Sequence, residues 1–483
     1  MAKGERPLRL WFVSLGCPKN LVDSERVLSL LECLGAVRAR SPQEADLAVV
    51  NTCAFLKEAE EEAISEIMGL RAAIGPKARL LVLGCLASRH GALPDLPEAD
   101  LVVPRERYPE LPGLIRGLVK ERFPEGRKAP RPRDIPGLPG IDPARPSADP
   151  AESTRRGLRF EDWERAPGYP FWQKYLKISE GCDHRCAYCV IPLIRGKLVT
   201  RPLDALVREA GRLSGNGCLE LTLVAQDLTS YSWEGKGLLE LAEGLSKING
   251  LRWIRLMYCY PERLTKGLLR GLSELPKVVP YLDVPFQHAS KKILKSMGRG
   301  TLNPRKTLDL IRDNWPEAAL RTTLMTGFPG EDDSDFQELA DFLGEARFQH
   351  AGFFKFSPEE GARAALFPDQ VPQFLKERRR RRLLSIQRGI TQSINMGRVG
   401  QLVELLSEGT LEEEEGEGQG QGKAQGKPRQ RARRKARAII ARAPFQAPEV
   451  DGQVVLPDGA PGPGNMFKAR ITLALGHDLL ARV

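Results

Sequence analysis

Three cysteines in the middle of the chain, Cys182, Cys186 and Cys189, follow one another at a C-x3-C-x2-C spacing. Three thiolates spaced in this way can bind three irons of a cubic iron–sulfur cluster and leave the fourth iron open to a cofactor or substrate. A structural zinc site is the alternative, but it needs a fourth ligand, for which His184 in the same loop is the nearest candidate. We therefore expect an iron–sulfur cluster with a catalytic role at these cysteines.

A second set of three cysteines lies near the N-terminus. Each of them closes a segment that begins with an apolar run. Cys17 ends the segment 9–17, Cys53 the segment 46–53 and Cys85 the segment 79–85. Strand and helix patterns alternate here, which predicts a parallel sheet whose neighbouring strands lie about 4.8 Å apart. The carboxyl ends of such strands meet at the edge where α/β sheets bind ligands. We therefore expect the three thiols to come together as a second metal site, although buried core cysteines are the alternative.

The central motif follows a predicted strand at 174–178 and precedes a series of strand and helix patterns. The later strands are expected at 218–226, 253–260, 281–286, 320–326 and 352–356. Together they predict six βα units, an incomplete relative of the eightfold barrel. Because barrel enzymes build their sites at the carboxyl ends of the strands, the polar residues that end these strands are candidates for binding a cofactor.

Composition places the chain among globular proteins with reduced thiols. The 483 residues are too many for one ordinary domain, and 41% are hydrophobic. The sequence contains no run of eighteen apolar residues, so no membrane span is predicted. It has nine cysteines and no secretory signal, which favours metal binding over disulfides. We therefore expect a cytoplasmic protein. The net charge of +11 favours an anionic partner such as RNA, although basic runs are more often solvated surface.

Composition shifts also suggest domain boundaries. We expect an N-terminal α/β domain at 8–123, a Pro/Arg-rich linker at 124–167, a barrel core at 168–396 and a small β-rich domain at 397–483. A basic helix at 376–395 precedes the last domain. Within that domain an acidic and Gly/Gln-rich insert, about 411–440, cannot bury a core and is expected to be disordered.

The residues around both cysteine sets resemble the methylthiotransferase family of radical S-adenosylmethionine (SAM) enzymes. The similarity is carried by SLGCPKNLVDSE at 14–25, NTCAF at 51–55, LGC at 83–85 and YLDVPFQHAS at 281–290. Tyr188, an aromatic residue before the last central cysteine, is typical of the superfamily. The sister group that modifies tRNA usually has a Gly-Cys-Gln-Met-Asn type of sequence around the first cysteine, so this motif favours the group that modifies a ribosomal protein.

This resemblance implies two 4Fe-4S clusters and SAM as cofactors. One cluster would be bound by Cys182, Cys186 and Cys189 and the other by Cys17, Cys53 and Cys85. Residues that match the family's SAM site are Tyr188, Gln226, Gln287, Arg321 and Gly327. The C-terminal domain resembles the TRAM domain, a small β-barrel with which such enzymes bind their macromolecular substrate.

The implied activity is methylthiolation of the β-carbon of an aspartate in small-subunit ribosomal protein S-twelve, with SAM as both radical source and methyl donor. The partners that this activity implies are an electron donor, such as flavodoxin or ferredoxin, and ribosomal RNA. It implies no membrane partner. Methylthiolation of a tRNA adenosine is the alternative reaction. A non-catalytic iron–sulfur protein that binds RNA or assists ribosome assembly would explain the charge, but it leaves the polar strand ends without a purpose.

Overall fold

The computed structural model describes residues 7–89, 96–119, 160, 163, 165, 170–412 and 437–483. These residues form a five-stranded sheet, a six-stranded sheet and a closed five-stranded barrel, in that order along the chain. The predicted fold class, with an α/β domain, an incomplete (βα)6 barrel and a small β-barrel, is confirmed. No helix in the described ranges is long and apolar enough to span a bilayer.

The N-terminal sheet has the strand order β2-β1-β3-β4-β5, and all of its strands are parallel. Its strands are β1 (Leu8–Ser14), β2 (Ala36–Arg38), β3 (Leu47–Thr52), β4 (Arg79–Gly84) and β5 (Leu101–Val103). Its helices are α1 (Pro18–Cys33), α2 (Lys57–Ala73), α3 (Cys85–Arg89) and α4 (Leu111–Leu118). The central strand β3 is buried along its whole length because helices cover both faces of the sheet.

Strand ends in this sheet carry the three N-terminal cysteines, as predicted. Cys17 stands between β1 and α1, Cys53 directly follows β3, and Cys85 directly follows β4 as the first residue of α3. Since β1, β3 and β4 are neighbours, their carboxyl ends lie side by side at one edge.

The central sheet has the order β13-β12-β11-β10-β9-β6, all parallel, which confirms the six βα units. Its strands are β6 (Gln173–Lys177), β9 (Glu220–Val224), β10 (Trp253–Leu256), β11 (Val278–Asp283), β12 (Ala319–Thr326) and β13 (His350–Lys355). Two short strands, β7 (Ser179–Glu180) and β8 (Val199–Thr200), flank the central cysteine loop. The helices are α5 (Ile191–Arg195), α6 (Leu203–Gly215), α7 (Leu238–Ser246), α8 (Lys266–Ser273), α9 (Lys291–Ser296), α10 (Pro304–Asn314), α11 (Asp333–Ala346) and α12 (Gln373–Met396). Helix α12 is the predicted basic helix.

The C-terminal barrel closes through the order β14-β15-β16-β18-β17. Its strands are β14 (Leu402–Glu412), β15 (Arg437–Arg442), β16 (Val454–Pro457), β17 (Met466–Leu475) and β18 (Asp478–Arg482). The predicted disordered insert, about 411–440, was too wide, because Leu411 pairs with Ala438 and Glu412 with Arg437 in an antiparallel ladder. The rest of the insert, 413–436, lies outside the described residues.

Most of the predicted linker, 124–167, also lies outside the described residues. Two of its members, Phe160 and Trp163, are buried in the core of the N-terminal sheet. The Phe160 ring centre lies 4.8 Å from that of Tyr108 and 5.1 Å from that of Trp163. The end of the linker therefore contributes to the packing of the first domain.

The central sheet and the C-terminal barrel are joined by a buried ion cluster. The Glu220 carboxylate at the start of β9 accepts hydrogen bonds from Arg255 at 2.7 Å and from Arg442 of β15 at 3.2 Å. Glu220 and Arg255 have no exposed surface, and Arg442 is 2% exposed. Burial would raise the pKa of Glu220, but the two guanidinium groups outweigh it and lower the pKa.

We expect Glu220→Ala to lower the free energy of unfolding by about 3–5 kcal/mol, because it removes the carboxylate that two buried guanidinium groups share and leaves Arg442 with Glu408 and Arg255 with the Pro444 carbonyl. Since the folded pKa of Glu220 is below its unfolded value, this contribution is present above the unfolded pKa and is lost as the pH falls through the folded pKa. Urea unfolding at several pH values measures both effects. Glu404→Ala, which removes an exposed pair with Arg252, is the matched control and should cost less than about 1 kcal/mol. Equal losses for the two variants would contradict the prediction.

Candidate functional site

Glycines at the strand ends let the N-terminal cysteines approach one another. Gly16 has a φ of +87°, and a Cβ built there would lie 2.6 Å from the Cys53 Cβ. Gly84 has a φ of +98°, and a Cβ there would overlap the carbonyl oxygen of Thr52. Both positions therefore require glycine, because of their left-handed backbone and because a neighbouring strand end occupies the space of a side chain.

The three N-terminal thiols influence one another electrostatically. Burial raises the pKa of Cys53 to about 11, and the nearby Cys85 and Cys17 add to this rise. Burial would also raise the pKa of Cys17, but the positive charges of Lys19 and Arg195 outweigh it and lower the pKa. The structure thus brings together the three cysteines that the sequence placed on separate strand ends.

Asn20 and Arg195 hold this group of cysteines together. The Asn20 side-chain amide donates to the carbonyl oxygens of Thr52 at 2.8 Å and Leu15 at 3.1 Å, which ties the ends of β1 and β3. The Arg195 Nη2 donates to the Cys85 Sγ at 3.0 Å and also to the Asn20 side-chain oxygen. Arg195 belongs to the central domain, so the N-terminal site is completed by a residue from the other domain.

A buried network of charges surrounds Arg195. Its Nη1 lies 3.0 Å from Glu180 and 3.4 Å from Asp23, and the Lys177 Nζ lies 2.7 Å from Glu180 and also donates to Asp23. Arg105 reaches Glu180 at 2.8 Å. Sequence reasoning missed this network. The sequence indicates this network only weakly, through charged residues such as Asp23 and Lys177 within segments that are otherwise predicted to be buried.

The central cysteines lie in the loop between β7 and α5. Gly181 has a φ of +74°, and a Cβ there would overlap the Lys197 carbonyl oxygen, so glycine is required directly before Cys182. The Cys182 amide donates to the Gly196 carbonyl at 3.1 Å, which closes the loop. The Ile191 amide donates to the Cys189 Sγ at 3.4 Å. Burial raises the pKa of Cys189 to about 12, and the neighbouring Cys186 and Cys182 contribute to the rise.

The donor set at this loop fits an iron–sulfur cluster better than zinc. The His184 ring lies 2.8 Å from the Asp227 carboxylate and stacks on Tyr260 at 3.8 Å, so it is held by other partners and not as a fourth ligand. Within the described ranges, no three Cys, His, Asp or Glu side chains converge on one metal-ion position. A cluster distributes its thiolate ligands over several irons, so three separated cysteines can serve it.

Three of the predicted SAM contacts lie at the carboxyl end of the central sheet. The Gln226 Nε2 donates to Glu180 at 3.2 Å, whereas its buried Oε1 has no donor among the described residues. Gln287 has a φ of +68°, and its backbone bonds with both Thr323 and Met325 of β12. Gly327, with a φ of +76°, packs against the side chain of Lys376. The roles of these residues in binding SAM stay predictions.

The other two predicted SAM contacts already have protein partners. Tyr188 is half-buried, packs against the core of the central domain and interacts with Arg299, which forms two hydrogen bonds with Glu262 at 2.7 and 2.6 Å. Arg321 lies on β12, 3.4 Å from Asp283 and 3.5 Å from Asp451 of the C-terminal domain. Their contact with SAM also stays a prediction.

The remaining cysteines do not join either group. Cys218 and Cys259 are buried in the core of the central domain. The apolar sequence around Cys33 predicts a core position, but Cys33 is half-buried at the end of α1, because the last turn of this helix lies near the surface.

We expect Gly84→Ala to disrupt the N-terminal site without unfolding the chain, because a Cβ would push Cys85 away from the end of β3. Iron bound after anaerobic reconstitution should fall from about eight to about four atoms per chain. Gly69→Ala on α2, where the added Cβ meets no atom within 4 Å, is the matched control and should keep the full iron content. Full iron content in Gly84→Ala would contradict the prediction.

Models of known families match three parts of the chain. The description "Uncharacterized protein family UPF0004" matches residues 9–103, "Radical SAM superfamily" matches 176–343, and "TRAM domain" matches 432–483. The solved structure of the radical S-adenosylmethionine methyltransferase TsrM from Kitasatospora setae covers 72% of this chain and 75% of its own, with a TM-score of 0.51 at 17% identity. This similarity concerns the fold.

Curated relatives resemble the chain over nearly its whole length. The ribosomal protein uS12 methylthiotransferase RimO of Moorella thermoacetica is 39% identical, over 96% of this chain and 96% of its own. The RimO proteins of Syntrophobacter fumaroxidans and of an Anaeromyxobacter species are 38% and 37% identical over 98% of this chain, and the match covers 97% and 93% of their own lengths. Because these relatives are 37–39% identical over nearly the whole chain, the chain belongs to the RimO family of radical SAM methylthiotransferases.

Proposed function

We propose that this protein methylthiolates the β-carbon of an aspartate of ribosomal protein uS12. The observation that carries the proposal is the link between its two cysteine groups along the chain. Arg195 donates to Cys85 of the first group and stands six residues after Cys189 of the second. The short helix α5 therefore connects the two sites, and a reaction that uses both on one substrate requires such a connection.

The cofactors of this family member are SAM and 4Fe-4S clusters. We assign Cys182, Cys186 and Cys189 to the cluster that binds SAM, and Cys17, Cys53 and Cys85 to the second. When bound, these groups supply reductive cleavage of SAM to a deoxyadenosyl radical and delivery of a methylated sulfur. A radical is needed because the β-carbon of aspartate does not release a proton that a side-chain base could remove.

The protein's own residues provide the surroundings for this chemistry. Gln226 presents a buried carbonyl oxygen without a donor among the described residues, which is suited to a polar group of SAM. We assign the backbone of Gly327, the aromatic ring of Tyr188, and the side chains of Gln287 and Arg321 to the same SAM site. The partial or full burial of both cysteine groups limits the access of water, which protects a reactive radical from side reactions.

A protein substrate is favoured over tRNA. The basic run of α12 was the sequence signal for an anionic partner, but part of its charge is paired with carboxylates of the same protein. Arg379 is 3% exposed and pairs with Glu331 and Asp333. Arg380 and Arg381 both pair with Glu377. We assign contact with RNA to the TRAM domain, and we propose that this RNA is ribosomal RNA.

The cell compartment and the reductant complete the proposal. We infer that the protein works in the cytoplasm, where uS12 and ribosomes are found, and that flavodoxin or ferredoxin supplies the electron. No membrane partner is part of the proposed reaction.

The two-cluster assignment predicts the iron content of cysteine variants. Reconstituted wild-type protein should hold about eight irons, and a variant with Cys182, Cys186 and Cys189 changed to alanine should hold about four. The reciprocal variant of Cys17, Cys53 and Cys85 should also hold about four. Cys218→Ala, a core cysteine outside both groups, is the control and should keep about eight. A wild-type content near four irons would overturn the assignment.

The proposed reaction predicts a methylthio group on uS12. Reconstituted enzyme incubated with uS12, SAM and reduced flavodoxin should add one methylthio group to a single aspartate, which peptide mass spectrometry detects. The Cys189→Ala variant should leave uS12 unchanged, because the cluster that binds SAM loses a ligand. A parallel incubation with tRNA should give no methylthioadenosine. Modification of tRNA with uS12 untouched would replace the proposal by the alternative reaction.

A further inference from the structure

Lys19 extends from the N-terminal domain into the strand ends of the central domain. It lies in the first turn of α1, two residues after Cys17, and is 8% exposed. Its Nζ donates to the carbonyl oxygen of Ala225 at 3.3 Å, just beyond the end of β9. The same atom lies 4.3 Å from the centre of the Tyr258 ring, which follows β10.

The bonding of this buried ammonium group is incomplete. A lysine side chain has three N–H donors, and in the described ranges one carbonyl oxygen accepts from Lys19 while no carboxylate lies within 4.0 Å of it. The other buried lysines near this interface are paired, Lys174 with Glu25 at 2.8 Å and Lys177 with Asp23 and Glu180. Cys17 acts on this ammonium electrostatically, but in the described ranges no second group accepts a hydrogen bond from it. Buried N–H donors without an acceptor are costly, so their retention points to a partner that arrives from outside.

The position of Lys19 indicates where such a partner would bind. Its ammonium lies beside Ala225, whose neighbour Gln226 is assigned to the SAM site, and its backbone follows Cys17 of the other site. A ligand that reaches the free N–H groups of Lys19 would therefore lie beside Cys17 and the strand end that precedes Gln226. Tyr258 is held in place with a φ of +66°, and its amide donates to Asp283 at 3.2 Å. Such left-handed backbone is uncommon in a non-glycine residue and is often seen at functional sites.

We propose that Lys19 binds the side-chain carboxylate of the target aspartate and thereby selects aspartate as the acceptor. The proposal rests on the proposed function. In aspartate the β-carbon is bonded directly to the carboxylate carbon, so an ion pair at the carboxylate fixes the carbon that reacts. Asparagine has the same shape but no charge, so it would offer the ammonium an amide oxygen in place of a carboxylate and form a weaker hydrogen bond. A site with a buried charge rejects such an analogue more strongly than a shape-based pocket does.

The same contacts of Lys19 would also serve a purely structural link between the domains. The two roles predict different effects on substrate binding. If Lys19 is only a structural link, its removal does not change the preference of the enzyme for aspartate over asparagine. A double-mutant cycle between Lys19 and the target aspartate separates them. The full-length reconstituted enzyme and its Lys19→Met variant are each titrated with labelled uS12 and with uS12 in which the target aspartate is asparagine.

Wild-type enzyme should bind normal uS12 about 10- to 100-fold more tightly than the asparagine form, which is the range of a hydrogen bond to a charged group. Lys19→Met should bind both forms equally, with an affinity near that of wild-type enzyme for the asparagine form. The coupling between the two changes should therefore equal the whole preference of the wild type.

Lys376→Met is the matched control. Lys376 is also buried, its Nζ donates to the Phe356 carbonyl at 2.8 Å and lies 5.0 Å from the Phe356 ring, so methionine removes the same types of contact. This variant should keep the wild-type preference for aspartate over asparagine. Iron content and the thermal midpoint of each variant show whether its sites and fold are intact. If Lys19→Met does not fold, Lys19→Gln keeps an N–H donor without the charge and takes its place.

Equal affinity of wild-type enzyme for the two forms of uS12 would overturn the proposal, as would an unchanged preference in the Lys19 variant. Failure of the proposed function gives a different result, because wild-type enzyme would then leave normal uS12 unmodified in the mass spectrum. The affinities do not depend on turnover, so the two outcomes are distinguishable.

Discussion

The need to pair buried charges governs how the N-terminal and central domains meet. Lys177 and Arg195 from the central domain and Asp23 from the N-terminal domain are each almost fully buried, and Glu180 joins them. None of these charges could be left alone without a cost of several kcal/mol. Because every partner must be present at once, the network fixes a single relative placement of the two sheets, and with it the distance between the two cysteine groups.

A second ion cluster is centred on the guanidinium of Arg165 and also pairs buried charges of α1 with charges of the central domain. Arg165 lies 2.8 Å from Glu25 of the N-terminal domain and 3.0 Å from Glu209 of the central domain. Apolar contacts fill the space beside it, where Val22 of α1 packs with Tyr175 and Val224 of the central sheet. Helix α1, which begins directly after Cys17, thus carries both the charges and the apolar side chains that dock the first domain.

Much of this arrangement could be predicted from the sequence, and the rest could not, for a physical reason. Cys17, Cys53 and Cys85 were predicted to meet because strand ends in a parallel sheet share one edge, which is a local rule. Arg195 could not be found in this way, because its contact with Cys85 spans 110 residues and depends on how two domains dock. The predicted insert at 411–440 extended too far for a related reason. Composition marks low complexity but does not show where a ladder of strands such as Leu411 with Ala438 begins.

The contact between Arg195 and Cys85 also has a consequence for biosynthesis. During translation the N-terminal domain emerges first, and domains generally fold in that order. Cys85 leaves the ribosome 110 residues before the guanidinium that donates to it. The nascent first domain therefore presents its three thiols without the positive charge that Arg195 brings. That site therefore reaches its final electrostatic surroundings only after the central domain has been made and has docked.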